Sequence, residues 1–240
     1  MQALCVSQGD HELVETLSVS TKVHLWWTWL SIAARHAGVA RRARSGAVTP
    51  CSFEAAESAG LSAEFESSLV ATAAVTFAME ALVIEFKTGG HVLDKSLFTE
   101  PTKATRGFYV AQRLIQVFGL TGNFADRLPE RLNSLFALRN RSVHFESKIR
   151  VGTRRHPSGT KTAAELTVFT LEAAESSIGL GRAVLLHCQE AVDLGRHHPS
   201  ATSVARELTG AITMLDEVIA AESIADWDET YVFANGFGDA

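Results

Sequence analysis

The chain has 240 residues, of which 46% are hydrophobic, and its formal net charge is −5. This length can bury one substantial core, or a core plus an appendage. Its three cysteines, Cys5, Cys51 and Cys188, lie far apart, and no Cys-x-x-Cys or His/Cys ligand spacing occurs. This pattern argues against a disulfide scaffold or a zinc module and predicts reduced thiols in a cytoplasmic protein without a metal. The first 15 residues lack a basic segment followed by an apolar one, so we expect no signal peptide.

Helical periodicity dominates the chain, and strand alternation is nearly absent. Gly152–Thr162 has the composition of a loop, and Ala225–Ala240 forms a mixed aromatic and acidic tail that either docks or stays free. Because no space remains for strands between the helices, we predict an all-α bundle of about six helices. The predicted helices are Thr21–Arg44, Ser62–Lys87, Thr102–Phe118, Asp126–Glu146, Leu171–Leu194 and Ser203–Ser223.

Two apolar runs raise the question of a membrane. Leu25–Ala34 is too short to span one, and Leu69–Ile84 is short and contains Glu80. We therefore expect both runs to be buried helices and no membrane contact. Glu80 is the single charge in its run, so we expect it to be buried and paired. It is either the structural partner of an arginine or a residue that acts directly in a functional site.

The fourth helix carries the most informative pattern. At 100° per residue, Arg139 lies within roughly 60° of an apolar stripe, and Asn140 and His144 lie one turn apart on its flank. A buried guanidinium needs an anionic partner, so Arg139 either pairs with a core carboxylate or binds an anionic ligand such as a phosphate. The stripe consists of Leu128, Leu132, Leu135, Phe136 and Val143, and Asn133 joins the flank.

The segment from Arg131 to Lys161 is strongly basic, with eight Lys/Arg against Glu146 alone, so it carries +7 and the remainder carries −12. Such a segment is either a solvated loop or a source of counter-charges for a polyanion. Its proximity to Arg139 and His144 favours the second interpretation. The candidate RNA-binding residues are Arg141, Lys148, Arg150, Arg154, Arg155 and Lys161.

The stretch LNSLFALRNRSVHF resembles the signature helix of HEPN domains, the higher-eukaryote-and-prokaryote nucleotide-binding superfamily, in which an arginine and a polar residue are followed by a histidine. The earlier segment VTFAMEALVIEF is similar to a core helix of that family, and Glu80 stands where an acidic residue often faces the motif. The resemblance covers about Leu61 to His144. It suggests a helical extension over residues 1–60 that packs on the core, a HEPN-like helical core over 61–225 and a tail over 226–240.

The resemblance implies a metal-independent endoribonuclease of toxin–antitoxin or phage-defence systems, working as a homodimer without a cofactor, with RNA as substrate and an antitoxin or defence protein as a possible partner. RNA supplies its own nucleophile, the 2′-hydroxyl, so the site needs only proton transfer and charge stabilisation. His144 suits the proton transfer. Arg139 suits the phosphorane, and Asn140 suits the orientation of either group.

Two alternatives remain open from the sequence. The first is a catalytically inactive HEPN module that binds RNA or a nucleotide. The second is a helical scaffold in which Arg139 forms a structural pair with Glu80.

Overall fold

A computed structural model describes residues 25–46, 53–88, 105–143, 153–155, 161–163, 167–227, 231 and 233. The predicted all-α bundle is confirmed, with six helices and one short hairpin among these residues. A one-turn 3₁₀ helix, Pro199–Ala201, precedes the last helix. The elements are α1 (Leu25–Gly46), α2 (Phe53–Thr88), α3 (Arg106–Phe118), α4 (Gly122–Val143), β1 (Thr153–Arg155), β2 (Lys161–Ala163), α5 (Leu171–Asp193) and α6 (Thr202–Ala221).

Two helices begin earlier than their apolar patterns predict. Helix α2 begins at Phe53 rather than Ser62, because the intervening residues, rich in Ala and Glu, favour a helix without forming an apolar run. Helix α4 begins at Gly122 rather than Asp126, so Pro129 lies inside the helix instead of in its first turn. A proline there removes one helical hydrogen bond, but α4 keeps Leu128 and Leu132 fully buried around it.

The stretch predicted to be a loop after α4 contains a hairpin instead. Strands β1 and β2 pair in antiparallel register, with Arg155 opposite Lys161 and Thr153 opposite Ala163. The residues between the strands include Pro157 and Gly159, which favour turns, and threonines flank them. Three-residue strands are too short to produce the alternation by which strands are identified in a sequence.

Helix α1 belongs to the same hydrophobic core as the later helices. It makes its most extensive contact with α2, and its buried face consists of Trp26, Leu30 and several alanines. The predicted boundary at residue 60 falls within α2. The candidate membrane span Ala59–Phe86 is long and apolar enough to cross a bilayer, but most of its apolar window is buried inside the bundle, as in the core helix of a soluble protein.

The basic end of α1 is tied to the bundle by ion pairs. Arg44 donates from Nη2 to Oε1 of Glu64 at 2.5 Å and to Oε2 of Glu172 at 2.9 Å. Glu64, whose side chain is 2% exposed, also accepts a hydrogen bond from the backbone N–H of Leu171 at 3.0 Å. One carboxylate of α2 thus satisfies both an arginine of α1 and a free N–H at the start of α5. Two further pairs join Arg41 to Glu175 and Arg42 to Glu222.

The segment after α6 packs on the bundle at its described residues. Trp227 lies against Gly179 of α5, where a Cβ atom would come within 2.3 Å of the tryptophan Cβ, so only glycine allows this approach. The Arg131 guanidinium lies 5.0 Å from the Trp227 ring centroid. Phe233 is buried against Tyr231, and burial raises the pKa of the Tyr231 hydroxyl to about 12.

Replacing Glu64 with Gln tests the buried ion pair. The variant leaves Arg44 with half of its counter-charge, and we expect the free energy of unfolding to fall by about 3 kcal/mol. The measurement is equilibrium denaturation in urea. Glu66→Gln is the matched control, since Glu66 is exposed on the same helix, and it should change stability by less than about 0.5 kcal/mol. Equal effects of the two substitutions would contradict the role given to Glu64.

The Glu172 carboxylate gives a pH dependence with a definite sign. Burial opposes its ionisation, but hydrogen bonds from Arg44, from its own backbone N–H and from Thr170, together with the charge of Arg44, outweigh burial and hold the pKa of Glu172 below its usual 4.5. The ionised form therefore stabilises the fold above pH 4.5, and this contribution is lost as the pH falls through the folded-state pKa. We expect the stability difference between wild type and Glu172→Gln to shrink progressively in denaturation curves recorded below that pH. A difference that grows on acidification would contradict this.

Candidate functional site

The candidate site centres on Arg139, in the last described turns of α4. Its Nη2 lies 3.4 Å from Oε1 of Glu80 on α2. Its guanidinium carbon lies 5.5 Å from the ring centroid of Phe77 and 5.3 Å from that of Phe136. The apolar stripe is buried as predicted at Leu128, Leu132, Leu135 and Phe136. Arg139 itself is only half-buried, with 17% of its side chain exposed, because its long stem carries the charge to the edge of the core.

A second arginine, which the sequence did not indicate, lies on the same carboxylate. Arg106, the first residue of α3, donates from Nε to Oε1 of Glu80 at 2.8 Å. Its guanidinium lies 5.3 Å from the ring centroid of Tyr109. Glu80 is therefore half-buried and paired, and one of its oxygen atoms faces two guanidinium groups. No signal in the sequence pointed to this contact, because the predicted helix begins at Thr102 and places Arg106 inside it rather than at its start.

Close packing of α3 on α4 brings Arg106 to this position. A Cβ atom on Gly107 would lie 2.5 Å from Cα of Asn133 and 2.6 Å from the carbonyl oxygen of Leu132. The hydroxyl of Thr105 donates to Oδ1 of Asn133. Asn133 is thus engaged with the start of α3, which anchors that end of the helix against α4.

The other predicted site residues lie partly outside the described structure. Asn140 is exposed and Arg141 half-buried on the last turn of α4. His144, Lys148 and Arg150 lie outside the described residues. Arg154, Arg155 and Lys161 are described in their backbone only, within the hairpin. The structure therefore brings Glu80 together with Arg139, adds Arg106, and leaves the position of His144 as a prediction.

Aromatic side chains from three helices form the support under Arg139. Phe77 of α2 and Phe136 of α4 contact the guanidinium, and Trp29 of α1 packs on Phe77 with ring centroids 5.2 Å apart. A guanidinium over aromatic faces is stabilised electrostatically. Helix α1 thus supports the site through Phe77, although it contributes no charged group to it among the described contacts.

Other polar residues outside this site have structural surroundings. His187 of α5 stacks on Phe124 at a centroid distance of 3.9 Å, and burial raises the pKa of the neighbouring Cys188 thiol. His198 accepts a hydrogen bond from the backbone N–H of Ser200 and caps the 3₁₀ helix. Among the described residues, no group of three or more His, Cys, Asp or Glu is arranged to hold a metal ion.

Comparisons of the chain with protein-family models, with curated proteins and with solved structures found no match. The resemblance to HEPN domains therefore rests on the residues of α2 and α4 alone. Function has to be inferred from the chemistry of the side chains that these helices bring together.

A double-mutant cycle on Glu80 and Arg139 measures whether their ion pair stabilises the fold. We expect Glu80→Gln and Arg139→Gln to couple by about 1 kcal/mol in equilibrium unfolding, since the pair is long at 3.4 Å and solvent reaches both side chains. A matched cycle on Arg182 and Asp216, which pair at 2.6 Å between α5 and α6, provides the reference coupling energy. Strict additivity at Glu80 and Arg139 would show that the two charges do not interact.

Proposed function

We propose that this protein is a metal-independent endoribonuclease that cleaves RNA through the 2′-hydroxyl. The observation that carries the proposal is the setting of Arg139. Its guanidinium is half-buried between Phe77 and Phe136, beside Glu80 and one residue before the exposed Asn140. A fixed, permanently charged fork at the edge of a core suits a phosphodiester, whose oxygen atoms accept two hydrogen bonds at once.

The proposed reaction is an internal transesterification. A base removes the proton of the 2′-hydroxyl, the oxygen attacks the adjacent phosphorus, and the bond from phosphorus to the 5′-oxygen breaks as that oxygen takes up a proton. The products are a 2′,3′-cyclic phosphate and a 5′-hydroxyl. We assign the proton transfer to His144, since an imidazole is the side chain best suited to proton transfer near neutral pH. Arg139 stabilises the charge of the phosphorane, and Asn140 orients the phosphate or the histidine.

Glu80 supports this assignment as an orienting group. Its carboxylate lies 3.4 Å from Nη2 of Arg139, which is longer than a charge-assisted hydrogen bond at its best. With both side chains partly exposed, the pair is weak enough for a phosphate to compete for the guanidinium. Glu80 thus restrains Arg139 without neutralising it permanently.

The proposed enzyme works as a cytoplasmic homodimer without metal or cofactor, in a toxin–antitoxin or phage-defence setting. One chain supplies a single His144, whereas separate acid and base roles at one phosphate are easier with two, so two α4 helices would share a cleft. The basic residues after α4 would bind the RNA backbone. In the hairpin, Arg155 is the cross-strand partner of Lys161, and a pairing of like charges becomes favourable when an anion lies beside it.

The Arg139–Glu80 ion pair also favours a second candidate, the helical scaffold. In that case Arg139→Ala reduces stability and there is no activity to lose. The catalytically inactive binding module is the third outcome, in which RNA is bound and not cut. Cleavage separates the first candidate from the other two, and binding separates the third from the second.

Cleavage in the presence of a chelator tests the proposed reaction. We expect purified wild-type protein to cut RNA in EDTA and to leave 2′,3′-cyclic phosphate ends. His144→Ala should lower the rate by about 10²–10⁴, the usual range for a general acid or base. Arg139→Ala should be similarly impaired. The readout is end-group analysis of radiolabelled RNA together with initial rates.

His187→Ala is the matched control, since His187 is half-exposed on α5 and stacks on Phe124. It should keep the wild-type rate. Undiminished cleavage by His144→Ala would point to a contaminating nuclease and would overturn the assignment. RNA that is bound but intact would identify the inactive binding module.

A further inference from the structure

Arg106 is the charged residue near Arg139 that the proposed function does not use. We propose that Arg106 is a second phosphate-binding residue of the same site, and that it shares Glu80 with Arg139 so that the two guanidinium groups bind one RNA phosphate together. This inference rests on the proposed function for its substrate class. It adds a residue from α3 to a site that the sequence assigns to α2 and α4.

The contacts of Arg106 leave its two Nη nitrogens available for hydrogen bonds. Its ion pair with Glu80 uses Nε, at 2.8 Å from Oε1. Within the described residues, neither Nη nitrogen makes a hydrogen bond, and 45% of the side chain is exposed. The hydrogen-bonding capacity of two nitrogens is therefore unused beside the carboxylate that also contacts Arg139. Guanidinium groups that meet at one oxygen atom are close enough for a single phosphate to reach both.

The position of Arg106 is not explained by its contribution to stability. It is the first residue of α3, and no acidic residue lies in the first turn of that helix. A cation is unfavourable there by a few tenths of a kcal/mol or more, because the helix dipole is positive at that end. A half-exposed ion pair with Glu80 contributes about 0–1 kcal/mol, so the two effects roughly cancel. A bound anion is favoured both by the helix start and by the guanidinium.

The surroundings hold Arg106 in place before any ligand arrives. Its guanidinium packs 5.3 Å from the Tyr109 ring centroid, and the buried Arg113 lies 5.0 Å from the same ring. Gly107 lets the start of α3 approach the backbone of α4 directly. This preorganisation reduces the conformational entropy that a long side chain loses on binding.

Binding of a 2′-O-methylated RNA strand, which lacks the nucleophile, tests the inference without interference from cleavage. Wild type, Arg106→Gln and Arg106→Lys are titrated with this RNA over a range of salt concentrations. We expect Arg106→Gln to bind about tenfold more weakly, as for one charge-assisted contact. The slope of log affinity against log salt should fall in magnitude by about 0.7, the value per phosphate for a single strand. Arg106→Lys should keep the slope and lose part of the affinity.

Arg182→Gln is the matched control, because Arg182 has 39% of its side chain exposed and pairs with a carboxylate, donating from Nε and Nη2 to Asp216. It should bind like wild type. Circular dichroism and thermal melting verify that each variant is folded. A folded Arg106→Gln with wild-type affinity and slope overturns the inference and leaves the proposed function standing. Wild type that neither binds nor cuts RNA overturns both.

Discussion

The arrangement of the bundle depends on a carboxylate that has almost no access to water. Glu64 of α2 is 2% exposed, and an ionised group so buried costs several kcal/mol unless it is fully paired. Arg44 of α1 and the backbone N–H of Leu171 supply the pairing. The end of α1, the first half of α2 and the start of α5 must therefore stay together. Any rearrangement that separates them leaves a buried charge without its partner.

The same helix carries a second carboxylate, Glu80, about 24 Å further along its axis. Here 19% of the side chain is exposed, and its two arginine partners, Arg106 and Arg139, come from α3 and α4. The contrast in burial is confined to the carboxylates, because Arg44 has 23% of its side chain exposed and Arg139 17%. Glu64 is inaccessible and holds helices together, whereas Glu80 also contacts Arg106, whose side chain is 45% exposed.

Features fixed by neighbours in the chain were predictable, and contacts between distant segments were not. The end of α3 at Phe118 was predictable because a glycine follows it, and glycine commonly ends a helix. In the structure, Gly119 adopts φ +62 and its N–H donates to the carbonyl of Ile115. The buried stripe of α4 followed from helical spacing. Nothing in the sequence pairs Arg44 with Glu172 or Arg106 with Glu80, because these contacts depend on how whole helices pack. Glu80 as a partner of Arg139 was open to prediction only through the resemblance.

The charge balance at Glu80 decides what the cluster can bind. A single arginine facing a carboxylate makes a neutral pair, which attracts an anion weakly and gains little by exchanging one oxygen ligand for another. With Arg106 added, the three side chains carry one net positive charge, and the carboxylate holds two guanidinium groups side by side. In the proposed site, a phosphate contacts both groups while Glu80 stays in place. On this proposal, the second arginine turns a structural ion pair into an anion site, and α3 contributes to function through its first residue.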